Sequence, residues 1–382
     1  MEDPLSDGRT RADLLKLVGS AEQLASVERF IFAEGKAKGV EAIRFQTGGG
    51  LDGTILVDRA LDLSDLRYMG RSLCWRSPAG VVAPSFYERP GNGWLRSFGG
   101  GMLVTCGLRN VGPGSQEGWE TFGLHGEISA SPASRVATSA RWDGDRYRLE
   151  VKGEVREAYL GGPNLVLRRG WSTELGASWI ELEDEVTNEG RRPELHMQLY
   201  HWNFGFPLLG PRSELHLTTD SVRPRDANAA SQIHRWNRGE EPGGSDQVFY
   251  HRRRARKRGF ESAVLVADRD RSDWGVELSW GAATLPHLVQ WKSCGVAEYI
   301  MGIEPANCLV EGREAHRAAA VTPIAPGETR SYRLRLTVLD GRAALARAVA
   351  ACRRFDTIAR EPLLPPRSGK KAERPIKAKE MR

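Results

Sequence analysis

The sequence of 382 residues predicts a single large all-β domain of the sandwich type, with a short helix near each end. The first observation is periodicity: after Gly35, apolar and polar residues alternate in short runs, the spacing of strands that bury one face. The second is the turn residues that separate these runs, as in DGD, NEG, LGPRS and APGE. We find no internal repeat and no boundary in mid-chain, so one antiparallel fold accounts for the pattern.

The pattern divides the chain into four segments. In residues 1–36, the runs LLKLV and AEQLASVERFIF place apolar residues three and four apart, which predicts a helical segment. Residues 37–340 carry the alternating pattern and form the predicted β-sandwich domain. Helical periodicity returns in residues 341–361, and residues 362–382 are predicted to be a disordered basic tail. The strand-like runs are RYRLEVKGEV, SWIELEDEV, LHMQLYH, SELHLTTD, SAVLVAD, WGVELSW and SYRLRLTVL.

One glycine-rich stretch, TGGGLDG, formally matches the dinucleotide-binding pattern G-x-G-x-x-G between Gly48 and Gly53. Such a site needs a strand before the glycines and a helix after them, so that a phosphate meets the helix N-terminus. The segment that follows, TILVDRALDL, predicts strand or irregular structure instead. We therefore interpret the glycines as a β-turn. The chain contains neither a P-loop nor a G-x-S-x-G motif, and we expect no cofactor.

The net charge of +6 raises the question of nucleic-acid binding, and the distribution of that charge argues against it. The tail from Arg367 to Arg382 holds seven Lys/Arg and two Glu, so the rest of the chain is nearly neutral. A second basic run, HRRRARKR, follows a polar, glycine-rich stretch and is interpreted as a solvated loop or strand edge. Neither run is interleaved with aromatic residues or belongs to a binding motif, so we expect no nucleic-acid partner.

Cysteine usage and hydropathy indicate the compartment. The five cysteines are scattered and form no C-x-x-C pair, which disfavours a zinc site or a disulfide framework and favours a reducing cytoplasm. No window approaches the 18 apolar residues of a membrane-spanning helix, and the acidic N-terminus lacks a signal-peptide pattern. We expect a cytoplasmic protein without a membrane partner; its oligomeric state stays open.

Three polar side chains interrupt stretches that are otherwise typical of a packed protein interior. Glu304 lies in the apolar run YIMGIEPANC, where an unpaired buried carboxylate costs several kcal/mol, and the proline after it favours extended backbone. His201, in LHMQLYHWNFGFPLL, shares a strand face with the alternating apolar residues before it. His125, in FGLHGEIS, is next to a glycine that permits close approach. A hydrogen-bonded core histidine is the alternative for His201, and a turn residue is the alternative for His125.

These three side chains together suit proton transfer. A carboxylate in a partly apolar pocket has its pKa raised toward neutrality, which is favourable for a general base. A histidine titrates in the same range. A base and an acid that face each other across a cleft would serve a reaction that removes one proton and delivers another nearby.

Five segments, taken in order, resemble the galactose mutarotase-like (aldose 1-epimerase-like) superfamily, and more narrowly its bacterial branch defined by a domain of unknown function. They are DRALDLSDLRYMGRSLCWRSPAG, GGGMLVTCGLRNVGP followed by GLHGEIS, LYHWNFGFPLL, QWKSCGVAEYIMGIEPANC and TPIAPGETRSYRLRLTVL. The match runs from about Gly39 to Leu339, most of the chain. The resemblance implies a large antiparallel β-supersandwich with a carbohydrate cleft on one face.

The resemblance also implies roles. Glu304 would take the proton of the anomeric hydroxyl, His201 would protonate the ring oxygen, and His125 would hold the sugar. The further predicted substrate-binding residues are Arg59, Arg71, Arg109, Asp62, Asp246, Trp202 and Trp291. The tryptophans would stack on the sugar, the arginines would contact hydroxyls, a carboxylate or a phosphate, and the aspartates would contact hydroxyls. A structural role is the alternative for the tryptophans and the arginines. The chain departs from the mutarotases in lacking an N-H-x-H-G segment and in its TCGL segment.

Three functions are compatible with this pattern. The first is a metal-free aldose 1-epimerase that interconverts sugar anomers. The second is a metal-dependent sugar isomerase or lyase, because two histidines and one carboxylate can form a facial triad with open positions. The third is a non-catalytic sugar-binding protein that uses the same cleft. In all three, the expected partner is a small sugar or sugar derivative.

Overall fold

A computed structural model describes residues 9–252, 259–268, 273–319, 322–352 and 359–363. The strands, in chain order, are β1 (Ser26–Ile31), β2 (Glu41–Gln46), β3 (Leu51–Leu56), β4 (Asp62–Tyr68), β5 (Arg71–Ser72), β6 (Leu103–Leu108), β7 (Ser115–Glu117), β8 (Glu120–Phe122), β9 (Ser134–Asp143), β10 (Arg146–Ala158), β11 (Asn164–Glu174), β12 (Trp179–Asn188), β13 (Met197–Gly205), β14 (Glu214–Leu217), β15 (Ser221–Pro224), β16 (Gln247–Arg252), β17 (Phe260–Val266), β18 (Trp274–Gly281), β19 (His287–Cys294), β20 (Tyr299–Ala306), β21 (Thr329–Asp340) and β22 (Ala359–Arg360). The α-helices are α1 (Arg11–Leu14), α2 (Ala227–Ser231), α3 (Gly312–Ala318) and α4 (Arg342–Cys352), and short 3-10 turns lie at Ala21–Gln23, Gly35–Ala37, Pro84–Phe86, Gly93–Arg96, Ile128–Ala130 and Ile233–Arg235.

Three sheets and one small hairpin organise these strands. The first sheet has five strands in chain order from β1 to β5. The second has eight strands in the order β14-β17-β18-β21-β12-β11-β10-β9, and the third has seven in the order β22-β15-β16-β19-β20-β13-β6. Strands β7 and β8 form the hairpin. Paired strands run antiparallel except β15 with β22, which confirms the predicted all-β fold.

The main core lies where the seven-stranded and eight-stranded sheets face each other. Tyr200 and Trp202 enter it from the seven-stranded sheet, and Trp171 and Leu334 enter it from the eight-stranded sheet. The five-stranded sheet adds residues such as Ile55. Burial of this much apolar surface against three sheets is the main force that holds the fold together.

The seven-stranded sheet is covered on both faces, which explains its composition. All nine residues of β13 are buried, whereas β12 in the eight-stranded sheet alternates between buried and exposed positions. The face of the seven-stranded sheet away from the main core carries a second apolar cluster, here called the outer cluster. Its members come from β6, β13, β16, β19 and β20, from the loop that precedes β6 and from the segments that follow β6 and β20 (Trp94, Phe98, Val104, Cys106, Val111, Met197, Leu199, Val248, Tyr250, Val289, Ala306, Cys308 and Val310). The candidate site lies on this outer face.

The N-terminal segment differs from its prediction. Residues 26–31, predicted to be helical, form β1, while helical turns in the described part of this segment occur at Arg11–Leu14, Ala21–Gln23 and Gly35–Ala37. Strand β1 is at the edge of its sheet and is mostly exposed beyond Ser26 and Val27, so apolar spacing along it does not report a buried face. The tertiary pairing with β2 decides its conformation.

The other end of the chain carries α4, which packs Leu345, Ala348 and Val349 against Val264 and Val266 of β17. Residues 353–358 of the predicted C-terminal helix, and residues 364–382 of the predicted basic tail, lie outside the described residues. In the described part of the chain, the helices are too short or too polar to cross a membrane.

The glycine-rich stretch is a turn, as predicted. Gly48 and Gly50 have φ angles of 72° and 98° in the connection between β2 and β3, a conformation that favours glycine. A strand follows these glycines, so they do not form a phosphate-binding helix start.

Candidate active site

The site is centred on two side chains from adjacent strands. Strands β13 and β20 pair Leu199 with Ala306 and Trp202 with Ile303, a register that sets His201 opposite Glu304. Nε2 of His201 lies 3.2 Å from Oε1 of Glu304. Their exposed fractions are 4% and 2%, so an imidazole and a carboxyl meet in a nearly dry environment.

Several polar atoms around this pair have no partner in the described part of the chain. Oε1 of Glu304, Nδ1 of His201 and Oδ1 of Asn203 are buried and make no hydrogen bond. Asn203 lies opposite Gly302 on β20, and a Cβ added to Gly302 would come within 2.5 Å of Oε1 of Glu304. Buried polar atoms normally have partners, so this group of unpartnered atoms indicates a ligand site.

His125 brings a third polar group to the site. Its ring centroid is 6.1 Å from that of His201, and Trp94 packs on it at 4.9 Å. The backbone N–H of Gly112 donates to Nδ1 of His125 at 3.4 Å, so in the neutral ring Nε2 carries the proton and can donate to a ligand. His125 has a φ of 58°, an unusual conformation for a residue with a side chain and one that is found at functional sites.

Aromatic rings surround the polar pair. The rings of Trp291 and Phe98 lie 5.5 and 5.6 Å from the ring of His201, and Phe98 stacks on Trp94 at 4.5 Å. At the rim, Nε1 of Trp291 donates to the exposed Asp246 at 3.3 Å. Flat apolar rings beside buried hydrogen-bonding groups are the combination that binds amphipathic ligands, whose C–H faces pack on rings.

Burial controls the protonation of all three polar groups. Loss of water raises the pKa of Glu304 to about 8, and the nearby positive charge of Arg225 opposes this rise. Loss of water also lowers the pKa of His201 to about 4. The pKa of His125 falls to about 3, because burial acts together with the charges of His201 and Arg225. At neutral pH the Glu304–His201 pair therefore holds one proton, and His125 is a neutral donor.

The comparison with known protein families shows which family the chain belongs to. The family described as "Domain of unknown function (DUF4432)" matches residues 37–338, most of the chain. The chain belongs to the DUF4432 family. No curated protein matches it.

Solved structures show which fold this DUF4432 protein has. It is similar to a "putative aldose 1-epimerase" from Klebsiella pneumoniae at 24% identity and a TM-score of 0.83, over 92% of this chain and 94% of that one. A galactose mutarotase-like protein from Clostridium acetobutylicum is 14% identical with a TM-score of 0.58, over 84% and 100% of the two chains. The galactose 1-epimerase from Lactobacillus acidophilus is 14% identical with a TM-score of 0.55, over 83% and 99%. These likenesses confirm the predicted galactose mutarotase-like sandwich fold.

Of the ten predicted site residues, five gather in this part of the DUF4432 fold: Glu304, His201, His125, Trp291 and Asp246. Trp202 does not. It is fully buried on the opposite face of β13, in the main core against Trp171, because neighbouring residues of a strand point to opposite sides. The prediction that Trp202 contacts a ligand therefore does not hold.

Arg59 and Asp62 are buried and have structural partners. The guanidinium of Arg59 donates to the carbonyls of Val82, Ser97 and Ser129, with distances of 2.8 and 3.2 Å to the first two. Asp62 accepts from the backbone N–H and hydroxyl of Thr105 and pairs with Arg169 at 2.7 Å. Their hydrogen bonds hold loops and strands together, so neither supplies a group to the cleft.

Arg71 and Arg109 also act elsewhere. Arg109 pairs with Glu120 through both terminal nitrogens and approaches Glu194 at 3.3 Å. Arg71 is exposed on the edge strand β5, where it lies 5.6 Å from the ring of Trp274. The structural alternative that the sequence left open for the arginines describes Arg59 and Arg109, whose guanidinium groups are buried and paired.

Sequence reasoning missed the aromatic residues Trp94 and Phe98 and the arginines Arg223 and Arg225 near the cleft. The aromatics lie in a loop without periodicity, so no pattern assigns them to a face. The run SVRPR does alternate, but alternation does not tell which sheet the strand joins. Within the described ranges, no three His, Cys, Asp or Glu side chains are grouped to hold a metal ion.

Proposed function

We propose that this protein is an aldose 1-epimerase-like enzyme that interconverts the anomers of a sugar by acid–base ring opening. The observation that supports it is the buried contact between Glu304 and His201, in a cleft with unpartnered polar atoms and aromatic rings. A pair that holds one proton suits a reaction in which one proton leaves a hydroxyl and another reaches a ring oxygen.

In the proposed reaction, the proton of the pair resides on His201 when the sugar is bound. Glu304 removes the proton of the anomeric hydroxyl while His201 donates its proton to the ring oxygen. The C1–O5 bond breaks, the aldehyde forms, and the C1–C2 bond rotates. Closure on the other face of the aldehyde returns both protons, so the pair is regenerated and no external reactant is consumed. The positive charge of Arg225 favours the ionised form of Glu304 that the first step needs.

The other cleft residues would bind and orient the sugar. The Nε2–H of His125 donates to a sugar oxygen, since its Nδ1 is occupied by the N–H of Gly112. Trp291 and Phe98 offer ring faces to the C–H surface of a pyranose. The sugar hydroxyls would satisfy Oδ1 of Asn203, which has no partner in the described residues.

Exchange NMR on a panel of aldoses tests this proposal. We expect the wild-type protein to accelerate anomer exchange, and Glu304→Gln and His201→Asn to slow the catalysed exchange by about 10²–10⁴-fold each. Glu157→Gln is the matched control, because Glu157 on β10 is also buried, with a pKa raised by burial to about 7. It should keep wild-type exchange.

Exchange by the Glu304→Gln protein at the wild-type rate would contradict the proposal. Binding of a sugar by calorimetry without acceleration of its anomer exchange would replace it with the non-catalytic sugar-binding function.

A further inference from the structure

Two arginines on β15 and its end lie at the edge of the same sheet face as the catalytic pair. Arg223 pairs with Tyr250, Tyr250 with Val289, and Val289 with Glu304, so all four lie in one row across the sheet. With strands about 4.8 Å apart, the backbone of Arg223 is about 14 Å from that of Glu304. The buried side chains of Tyr250 and Val289 form the floor between the catalytic pair and Arg223.

Arg225 lies in the next row. Its backbone N–H donates to the carbonyl of Val248 at 2.9 Å, Val248 pairs with Trp291, and Trp291 pairs with Gly302. Its charge acts on both Glu304 and His125, as expected of a side chain that faces the cleft.

Most of the donors of these arginines are free. Nε of Arg225 contacts Oδ2 of Asp226 at 3.3 Å, and Oδ1 of Asp226 accepts from the N–H of Ala229, so the aspartate is fixed. In the described ranges, the two terminal nitrogens of Arg225 have no hydrogen-bond or ion-pair partner. Arg223 lies over the ring of Tyr250 at 5.0 Å and likewise has no ion pair there. Both differ from Arg59 and Arg109, whose donors are occupied.

Among the described residues, the carboxylates near this edge already have hydrogen-bond partners, and the terminal nitrogens of the arginines do not. Glu304, His201 and His125 are neutral near pH 7 for the reason given above. Asp226 is paired with Arg225, Asp246 accepts from the indole of Trp291, and Glu311 accepts from the hydroxyl of Tyr250 at 2.6 Å. Two guanidinium groups with planar, unused donors suit a carboxylate or a phosphate better than a neutral hydroxyl.

We propose that Arg223 and Arg225 form a subsite for an anionic substituent, a carboxylate or a phosphate, carried by the sugar on a carbon remote from the anomeric centre. The substrate class is then an acidic or phosphorylated aldose. This inference rests on the proposed function, because the catalytic pair fixes where the anomeric carbon lies.

Exchange NMR on matched sugars tests the subsite. The probes are glucose against glucose 6-phosphate for the phosphate arm, and galactose against galacturonic acid for the carboxylate arm. We expect the wild-type protein to have a kcat/KM at least about 10-fold higher for a charged sugar than for its neutral parent, as charge-assisted pairs allow. Arg223→Gln should remove most of that preference and leave the rate on the neutral sugar within about threefold. Arg225→Gln should also remove most of the preference, and it should lower the rate on the neutral sugar as well, because the charge of Arg225 favours the ionised form of Glu304.

Arg212→Gln is the control, since Arg212 pairs with Asp268 at the surface and should not affect the preference. Equal kcat/KM for charged and neutral sugars, or an unchanged preference in both variants, overturns the subsite and leaves the epimerase proposal standing.

If no sugar is turned over, the epimerase proposal fails, and calorimetry decides the subsite separately. Binding of glucose 6-phosphate or galacturonic acid that weakens about 10-fold in the double variant Arg223→Gln, Arg225→Gln supports it. Absence of binding, or identical binding by the double variant, overturns it.

Discussion

Glu304 and His201 are both deprived of water by the packing around them, and burial acts on their two pKa values in opposite directions. The carboxyl keeps its proton to a higher pH than usual, and the imidazole loses its proton at a lower pH. Between these limits the pair holds one proton, whichever atom carries it. The catalytic form is this one-proton form, because the proposed reaction needs one group to accept and the other to donate.

The pH dependence of kcat/KM follows from this pair. We expect a bell-shaped profile, with an acid limb near pH 4, where a second proton is bound, and an alkaline limb near pH 8, where the proton is lost. Exchange NMR between pH 3.5 and 9.5, as roughly the range set by these limbs, measures the profile, with circular dichroism at each pH to show that the fold is intact. A rate that does not fall above pH 9, about one unit past the upper limb, would exclude the assigned roles.

Substitution of Gly302 tests whether the carboxyl group of Glu304 must keep its position. A Cβ at this position would lie within 2.5 Å of Oε1 of Glu304 and 3.2 Å of the Cβ of Trp291. We expect Gly302→Ala to lower kcat about 10- to 100-fold, because displacement of a catalytic group by about 1 Å has that effect. Gly281→Ala on β18 is the control, since its Cβ would have no atom nearer than 3.5 Å. Equal activity of both variants would show that Glu304 does not need this position.

The site residues that could be predicted from sequence are polar residues whose neighbours in the sequence are apolar. Glu304 and His201 stand out as polar side chains in apolar strands, and strand alternation places His201 on the outer face. Arg59 could not be classified, because an arginine that donates to buried carbonyls has the same sequence signature as one that binds a ligand. Arg225 was missed because its position near Glu304 depends on which strands lie beside β15.

At the scale of elements, one buried cluster of charges links the three sheets. Arg169 on β11 pairs with Asp184 on β12 and with Asp62 on β4, each at 2.7 Å. The hydroxyl of Tyr200 on β13 donates to Asp184 at 2.8 Å. Each sheet supplies at least one member, so the cluster fixes how the sheets sit on one another. Burial raises the pKa of Asp62, and the charge of Arg169 opposes this.

We expect Arg169→Met to lower the free energy of unfolding by about 3–5 kcal/mol, because it leaves two buried carboxyl groups without their cation. Arg168→Met is the matched control on the same strand. Arg168 is half-exposed and pairs with Glu189 at the surface, so its loss should cost less than about 1 kcal/mol. Urea unfolding of both variants gives the comparison. Equal costs would mean that the buried cluster contributes no more than a surface pair.

The strands that could be predicted are those buried on one face. The run SWIELEDEV alternates because β12 has the core on one side and solvent on the other. Strand β1 could not be predicted, because an edge strand with little buried surface carries no periodic signal and its neighbour β2 decides its conformation. The loop around Trp94 and Phe98 also lacks periodicity, so the sequence did not indicate that these residues lie beside the candidate site.

For the whole molecule, the main core joins the five-, seven- and eight-stranded sheets in one contiguous cluster. We therefore expect a single cooperative unfolding transition, even in a chain of this length. Tryptophan fluorescence and far-UV circular dichroism, followed through the same urea titration, should give coincident curves. Two separated midpoints would show that the predicted single domain contains parts that unfold independently.

The ordered set of segments predicted the fold of the whole molecule better than any single motif did. Each segment contributes buried strands, and the segments together supply strands to all three sheets. The arrangement of the cleft could not be predicted in the same way. It depends on the register between β13, β20, β19, β16 and β15, which is a property of the sheet and not of one segment.

Strand β13 has the proposed catalytic histidine on one face and a core tryptophan on the other, in consecutive positions. A shift of this strand by one residue would send His201 into the main core and Trp202 into the cleft. An error in the register of β13 would therefore disrupt the main core and the candidate site at the same time, so stability and activity would be lost together. Every molecule with the correct register should carry an assembled site. The specific activity of a preparation would therefore be proportional to the fraction of its molecules that are folded.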